Sequence, residues 1–581
     1  MPPGRSDNRR LARVGLVRVV FFVFLLVIIG KLIQLQVIEG SFYTALASRQ
    51  HDIFTKLIPE RGKIFVQDGS NADKLFPVAV NQPLKLLFAV PREITDPAAA
   101  ARQLELALNI PAAALELALS KKDDPYEPIQ HALSDDLAAQ IQNLNIPGLY
   151  LTPESTRYYT ESPLLSQVLG FYGYVKDNLA GRYGIEQHWE DLLAGRGGEL
   201  KSEKDVSGNL IGVGEINLQP AVNGADLVLT IDKNIQFKAC DALDKAVIRH
   251  GAAAGSLIVL DPNTGAVRAI CNSPSFDANN YKNISDLALF SNAAVEEAYE
   301  PGSIFKPFTL AAAMDQGKIT PETTYIDTGQ VVVGSYTIKN SDFKANGVQT
   351  MTKVLEKSLN TGAIFAMRAL GPKDFTNYVK RFGFGLPTGV ELPNESAGNI
   401  KALSVRREIN FVTASFGQGL TTTPLQLAVA YGAIANQGRL MKPYVVQQIR
   451  YPDGRVEDKK PETVRQVIKP TVASTLAAML VNVVENGHGK RAGVPGFYVA
   501  GKTGTAQVPL QGGGGYDPAK TIGSFAGFAP IDKPRFVMVV RIKEPKDVVF
   551  AESSAAPLFG EVAKYLLEYY QVPPERLLDN K

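Results

Sequence analysis

Five arginines, Arg5, Arg9, Arg10, Arg13 and Arg18, stand before an apolar run from Val19 to Gly30, which Lys31 interrupts before it resumes to Ile38. No other feature constrains the chain as strongly. With Arg18 and Lys31 snorkelling toward opposite interfaces, residues 14–38 reach the roughly 20 residues that a bilayer requires. The positive-inside bias makes residues 1–13 a cytoplasmic tail and places everything after residue 40 on the far side. Ala45-Leu46-Ala47 has the small-x-small form of a signal-peptide cleavage site. The apolar region ends well before it and Glu39 intervenes, so the expectation is a single transmembrane helix that is kept. A buried core helix fits poorly with an extreme N-terminal position behind five arginines.

The 581 residues exceed the roughly 250 to 300 at which single cores stop growing, so at least two domains are expected. With 45% hydrophobic and 20% charged residues, wholesale disorder is excluded. A net charge of +3 demands no nucleic-acid partner. Cys240 and Cys271 are the only cysteines, both flanked by apolar residues; they read as two buried thiols, and sequence does not decide whether they pair. The five histidines are scattered without the close pairing of a metal site. No metal and no cofactor are expected.

From residue 39 to 225 the clearest signals are structural. Asp96-Pro97 reads as an N-cap followed by proline at the first helical position, opening a helix that stops at Ile110-Pro111; a second follows from Ala112 to Leu119. Residues 181–200 hold a short amphipathic helix between glycine-rich turns. This half reads as a pedestal. From 226 the pattern sharpens: a strand ADLVLTID, a helix over NIQFKACDALDKAVIRHG, and a hairpin turning at Pro262-Asn263-Thr264-Gly265. A later hairpin around SFAGFAPIDKPRFVMVVRIK precedes the helix-like PLFGEVAKYLLEYY. Residues 226–570 therefore predict an α+β domain, helices packed on a mostly antiparallel sheet, and 571–581 a C-terminal tail.

Three short motifs carry the chemistry: Ser303-Ile304-Phe305-Lys306, Ser358-Leu359-Asn360 and Lys502-Thr503-Gly504. Each is weak alone, and Ser341-Asp342-Phe343-Lys344 also matches S-x-x-K. Context separates them. Glu300-Pro301-Gly302 breaks the chain just before Ser303 and the apolar FTLAAAMD follows Lys306, which predicts a helix start with its N–H groups near the serine. Ser341 follows the strand-like SYTIKN and enters a turn. A serine attacks only if a base takes its proton, and with no histidine near the motif that base is Lys306. An amine serves once its pKa falls from about 10.4 toward neutrality, by desolvation and by a second cation, for which Lys502 is the candidate. Ser358 would bridge the two lysines as a proton shuttle. Lys502-Thr503-Gly504-Thr505 sits on a strand, where Gly504 lets a ligand backbone approach the edge for β-augmentation, with the lysine and threonine hydroxyls holding a terminal carboxylate. Standing alone, SLN also fits a helix cap and KTG a turn.

The order of these motifs, with the flanking LTIDKNIQ, VLDPNTGAVRAI, YEPGSIFKPF, KSLNTGAI, SFGQGLTTTPLQLA, VAGKTGTAQ and SFAGFAP, resembles the transpeptidase domain of class B penicillin-binding proteins. ERGKIF around Arg61 and GIEQHWEDLLAGRGG resemble pedestal segments of that family, although Val66-Gln67-Asp68-Gly69 departs from its usual acidic-Arg-Asn-Gly. The resemblance implies a penicillin-binding-protein transpeptidase fold behind an extended pedestal. It implies peptidoglycan stem peptides as substrate and a Ser303 acyl-enzyme formed with release of D-Ala. Lys306 and Ser358 would move protons, Asn360 would hold the donor amide, and Lys502, Thr503 and Thr505 the carboxylate. The oxyanion would lie between the N–H groups of Ser303 and Thr505, and β-lactams would acylate Ser303.

KSLNTG resembles the cell-division type, since the elongation type commonly has aspartate where Asn360 stands. The remaining alternatives are an elongation-type enzyme, a serine carboxypeptidase or β-lactamase, and a non-catalytic β-lactam sensor. No glycosyltransferase domain is recognisable before the pedestal, so a membrane glycan polymerase and other division proteins are expected partners, at the bacterial inner membrane with the catalytic domain outside.

Overall fold

The continuous apolar run Leu257-Ile258-Val259-Leu260 reads as a strand buried on both faces, and the structure, a computed structural model, builds the C-terminal half of the chain around it. Residues 21–34, 52–69, 71–175, 178–203, 217–510 and 515–576 are described. Five antiparallel strands form the central sheet: β1 (Ala254–Leu260), β2 (Val267–Ser273), β3 (Ala500–Pro509), β4 (Tyr516–Ala529) and β5 (Phe536–Lys543), in the order β2-β1-β5-β4-β3. Alternate side chains enter opposite cores, as a period of two requires. Leu257, Val259, Met538 and Val540 face α1 (Lys233–Arg249) and the C-terminal helix Ala555–Tyr569. Ile258, Leu260, Val537 and Val539 face the helical lobe. There the helix Pro424–Ala435, opened by a Thr423/Gln426 capping box, is buried along nearly its whole length. Both expected hairpins and both expected helices are present.

Cys240 on α1 and Cys271 on β2 are not the two separate thiols that their flanks suggest. They form a disulfide, with Cα atoms 5.2 Å apart. Docking of α1 onto β2 creates this proximity, which neither local pattern contains. The bridge closes a 31-residue separation, for which chain entropy gives a stabilisation of about 2–4 kcal/mol. The double substitution Cys240→Ser/Cys271→Ser should therefore lower unfolding free energy by about that amount in a denaturant titration. Its acylation rate below the transition should be unchanged; equal stability with and without reductant would refute the assignment.

The pedestal opens as its caps dictate. Asp96 accepts from Ala99 N at 2.9 Å ahead of the helix Pro97–Leu108, and Asn109 closes it at φ +54°. That helix, Ala112–Leu119 and Asp135–Asn143 cover the long strand Asn71–Ala89 with a small core of Leu87, Leu104, Leu115 and Ile141. Asn71–Ala89 pairs with Ile64–Asp68, Glu127–Leu133 and Leu149–Tyr159. The strand Asp226–Asp232 does not join the central sheet. It lies parallel to Ile64–Asp68 and antiparallel to Val446–Arg450, so one seven-stranded sheet takes strands from both halves of the sequence.

Residues 181–200 fold as two short helices, Gly184–His188 and Glu190–Leu193, rather than one. They turn two carboxylates inward: Glu186 accepts from Arg61 Nε and Arg157 Nε at 2.7 Å each, and Glu190 from Arg61 Nη2 at 2.6 Å. Burial alone would raise the Glu186 carboxyl; the two guanidiniums hold it below its ordinary value. The two pedestal segments singled out in the sequence thus meet through one buried ion-pair cluster.

A separate unit, residues 1–60 with 195–223, contains the strands Asp52–Leu57, Gly198–Glu203 and Asn217–Gln219 as a small antiparallel sheet. It also holds a helix over residues 21–33 on which Phe21, Phe22, Phe24 and Leu25 are exposed. Among the described residues no helix is long and apolar enough to cross a membrane. The expected anchor over 14–38 extends beyond the described residues at both ends. The expected cytoplasmic tail over 1–13, the Ala45-Leu46-Ala47 triplet and the end of the expected C-terminal tail lie outside them.

Candidate active site

Gly302 takes φ +59°, a left-handed conformation open to glycine at little cost, and a Cβ there would meet Thr505 O at 3.2 Å. Reciprocally, a Cβ on Gly504 would meet Pro301 O at 2.8 Å and Ile304 N at 3.0 Å. Two glycines therefore let the turn that carries Ser303 lie backbone to backbone against β3. The open face expected at Gly504 for a ligand is taken by this turn; among the described residues β3 pairs in the sheet with β4 alone, so its other edge has no strand partner there. Gly504→Ala should slow acylation by a β-lactam on the order of 10²-fold, the scale of a 1 Å misplacement. Stopped-flow labelling at the wild-type rate would contradict this packing argument.

The helix expected at Ser303 begins slightly later. Gly302–Phe305 is a 3₁₀ turn that runs into α2 (Lys306–Asp315), with Pro307 in the first turn where its missing N–H is harmless. Three contacts fix the turn: Gly302 N donates to Gly417 O at 3.0 Å, Tyr431 OH donates to Ile304 O at 2.8 Å, and Gly504 lies beneath. Within it Gly302, Ile304 and Phe305 are buried, whereas Ser303 is partly exposed.

Lys306 is fully buried, and its Nζ donates to Ser358 O at 2.5 Å and to Ser358 Oγ at 3.2 Å. Ser358 holds φ +59°, a strain of roughly 1–3 kcal/mol for a residue with a Cβ. In this conformation both of its oxygens lie within reach of one amine. Lys502 is also fully buried, and its Nζ donates to Thr503 O at 3.1 Å. Neither lysine forms an ion pair among the described residues. Burial, reinforced by the charge of Lys502, pushes the Lys306 ammonium well below its ordinary value, and burial pushes Lys502 down to about 7. Ser358 meets Lys306 but not Lys502 by hydrogen bond, so only half of the expected bridge is made.

Asn360 begins α3 (Asn360–Leu370), and its Nδ2 already donates to Lys339 O at 2.8 Å. Thr505 Oγ1 accepts from Ala551 N at 3.1 Å, and Thr503 is buried. The structure thus gathers Ser303, Lys306 and Ser358 on one side and Lys502, Thr503, Gly504 and Thr505 on the edge strand. Next to Asn360, Thr361 Oγ1 donates to the buried Asp327, which also accepts from Asn340 Nδ2, Asn346 Nδ2 and Gly329 N. Burial would raise the Asp327 carboxyl, and these donors hold it below its ordinary value. Sequence reasoning missed this network; TYIDTG carries no local mark of it. Ser341 lies exposed in a turn, with Phe343 at φ +56°, as its context predicts. Glu391 Oε2 accepts from Val445 N at 2.8 Å, a structural role.

Residues 255–564 match the family described as the penicillin binding protein transpeptidase domain, and residues 56–229 match the penicillin-binding protein dimerisation domain. Stage V sporulation protein D of Bacillus subtilis is 31% identical over 98% of this chain and 87% of its own length. The peptidoglycan D,D-transpeptidase FtsI of Escherichia coli K12 is 29% identical over 95% of this chain and 90% of its own. Penicillin binding protein 3 of Mycobacterium tuberculosis, solved in complex with aztreonam, superposes with a TM-score of 0.69 at 26% identity, covering 90% of this chain and 99% of that one. The serine turn, the paired buried lysines and the glycine-backed edge strand thus lie within a matched domain, and the chain belongs to the class B penicillin-binding proteins.

Proposed function

We propose that the chain is a peptidoglycan D,D-transpeptidase of septal wall synthesis, with Ser303 as nucleophile. The observation that carries this reading is Lys306: a buried amine held by Ser358, neutral enough to take a proton, and next to a turn that exposes one serine. Ser303 Oγ attacks the carbonyl of the penultimate D-Ala while its proton passes to Lys306 Nζ. The oxyanion lies between the N–H groups of Ser303 and Thr505. As the tetrahedral intermediate collapses, the C–N bond breaks and the leaving D-Ala amine takes a proton through Ser358. The acyl-enzyme is then resolved by an amine of a second stem peptide: the amine loses its proton to Lys306 as it attacks, the acyl C–Oγ bond breaks, and Ser303 Oγ takes that proton back. The donor strand adds to the edge of β3, its amide held by Asn360 and its carboxylate by Lys502, Thr503 and Thr505. A β-lactam enters as the donor does.

Asn360, where the elongation type commonly has aspartate, supports the septal assignment. The exposed phenylalanines of the helix at 21–33 and the five arginines before it support a single-pass anchor over 14–38, with residues 226–570 as an extracytoplasmic catalytic domain on a pedestal of residues 39–225. A membrane glycan polymerase is the proposed partner.

The test is intact-mass analysis of the full chain in detergent with benzylpenicillin, followed by a D-amino acid as acceptor. One long-lived penicilloyl adduct is expected with benzylpenicillin and, when an acyl-D-Ala donor replaces the β-lactam, transfer of its acyl group to the D-amino acid with release of D-Ala. Rapid release of penicilloate would make the protein a hydrolase, and no adduct on folded protein would remove the catalytic reading.

A further inference from the structure

Glu300 stands three residues before Ser303 and takes part in none of the steps above. Its side chain is half-buried, and each oxygen is committed: Oε1 accepts from Gly419 N at 2.9 Å and Oε2 from Tyr516 OH at 3.0 Å. Those donors come from two segments far apart in the chain. Gly419 lies in the loop whose Gly417 O receives Gly302 N. Tyr516 opens β4 and is paired with Pro509 at the far end of β3. Among the described residues no cation pairs with Glu300, and burial raises both its carboxyl and the Tyr516 phenol. A carboxylate taken from water without a counter-ion is costly unless its hydrogen bonds are retained for what they hold in place.

We propose that Glu300 is a positioning residue: it latches the Tyr516 end of the β3–β4 hairpin and the Gly417–Gly419 loop to the turn that carries Ser303. It thereby helps fix how the nucleophile's turn is seated against the edge strand. The latch acts on geometry rather than on charge at the reacting atoms. Loosening it lets β3, and with it the N–H of Thr505, drift from the Ser303 hydroxyl. Binding of a β-lactam carboxylate at Lys502 and Thr503 is affected far less, because those groups move together on the strand.

The inference rests on acylation at Ser303, which wild-type labelling in the same assay tests separately. Tyr516→Phe, Glu300→Gln and the double variant would be compared in the full chain with a slowly reacting fluorescent penicillin, separating the pre-acylation dissociation constant from the acylation rate constant. Active-site titration would count the competent molecules. Each single variant should lose about 10-fold in the rate constant per competent site, with the dissociation constant changed less than about 2-fold. The double variant should be no slower than the worse single, because both remove one latch. Tyr516→Phe deletes a single hydroxyl and carries the test alone if Glu300→Gln fails to fold. A wild-type rate in Tyr516→Phe, multiplicative losses in the double variant, or losses explained wholly by fewer competent sites would overturn the proposal.

Discussion

In a Ser303→Ala variant no covalent β-lactam adduct forms, and transfer of an acyl donor to an amine stops, while the protein unfolds within about 0.5 kcal/mol of the wild type. The side chain is partly exposed and its backbone is fixed by Gly302, Ile304 and Gly504, so removing the hydroxyl disturbs no core contact. Removing the nucleophile of a serine acyltransferase leaves only the residual effect of oxyanion groups and binding, a loss on the order of 10⁴-fold or more. Peptide mapping of the wild-type adduct provides the second half of the result. Label should sit on the peptide containing Ser303 and be absent from that containing Ser341. Label on Ser341, or survival of the adduct in the variant, would show that the helix-start argument selected the wrong serine.

Lys306→Met should slow acylation by about 10²- to 10⁴-fold, the contribution of a positioned general base, with Ser303 still in place. The pH profile of the second-order acylation constant tests the same assignment without mutation. On the acid side the rate rises as Lys306 loses its proton, which burial and the charge of Lys502 have made easy. On the basic side it falls as Lys502, at about 7 in the free protein, loses the charge that attracts the donor carboxylate. A bell with its basic limb beginning near 7 is expected, and a β-lactam ester, lacking the carboxylate, should lose that limb. A steady rise through pH 10 for both ligands would sink the division of labour between the lysines.

Lys502 also contributes to stability with a definite sign. Its folded-state pKa lies below its unfolded value of 10.5, so between about 7 and 10.5 the unfolded chain binds more protons and stability rises with pH. Below about 7 the cost of burying the ammonium is fully present, on the order of 5 kcal/mol.

What could be read from the sequence was what the sequence holds locally. The spacing from Ser303 to Lys306 spans one turn, and Lys502 to Thr505 lies along one strand, so both halves of the centre were visible as short words. Asp96-Pro97 carries its own cap, and the two hairpins of the central sheet show in their strand runs and turn residues. Arrangements made by docking were not visible. The carboxylate of Asp327 collects donors from Asn340, Asn346 and Thr361 across strand and helix boundaries. Glu300 lies within the motif YEPGSIFKPF, but its partners Gly419 and Tyr516 lie far along the chain. The same cause hid the disulfide, and it hid the parallel pairing of Asp226–Asp232 with Ile64–Asp68, because the choice of a strand's neighbour is made by docking of segments far apart in the chain.

That parallel pairing bears on how proteins of this kind change over time. A boundary drawn at residue 225 looks like a seam, yet the strand just after it pairs with the pedestal strand Ile64–Asp68 on one side and with Val446–Arg450 on the other. Cutting the chain at Gly224 would not free two halves; they would stay associated through main-chain hydrogen bonds until denatured. A gene fusion that exchanged one pedestal for another would have to match a strand register as well as a surface. The two halves are therefore poor candidates for independent shuffling and should be inherited, truncated and redesigned as one piece.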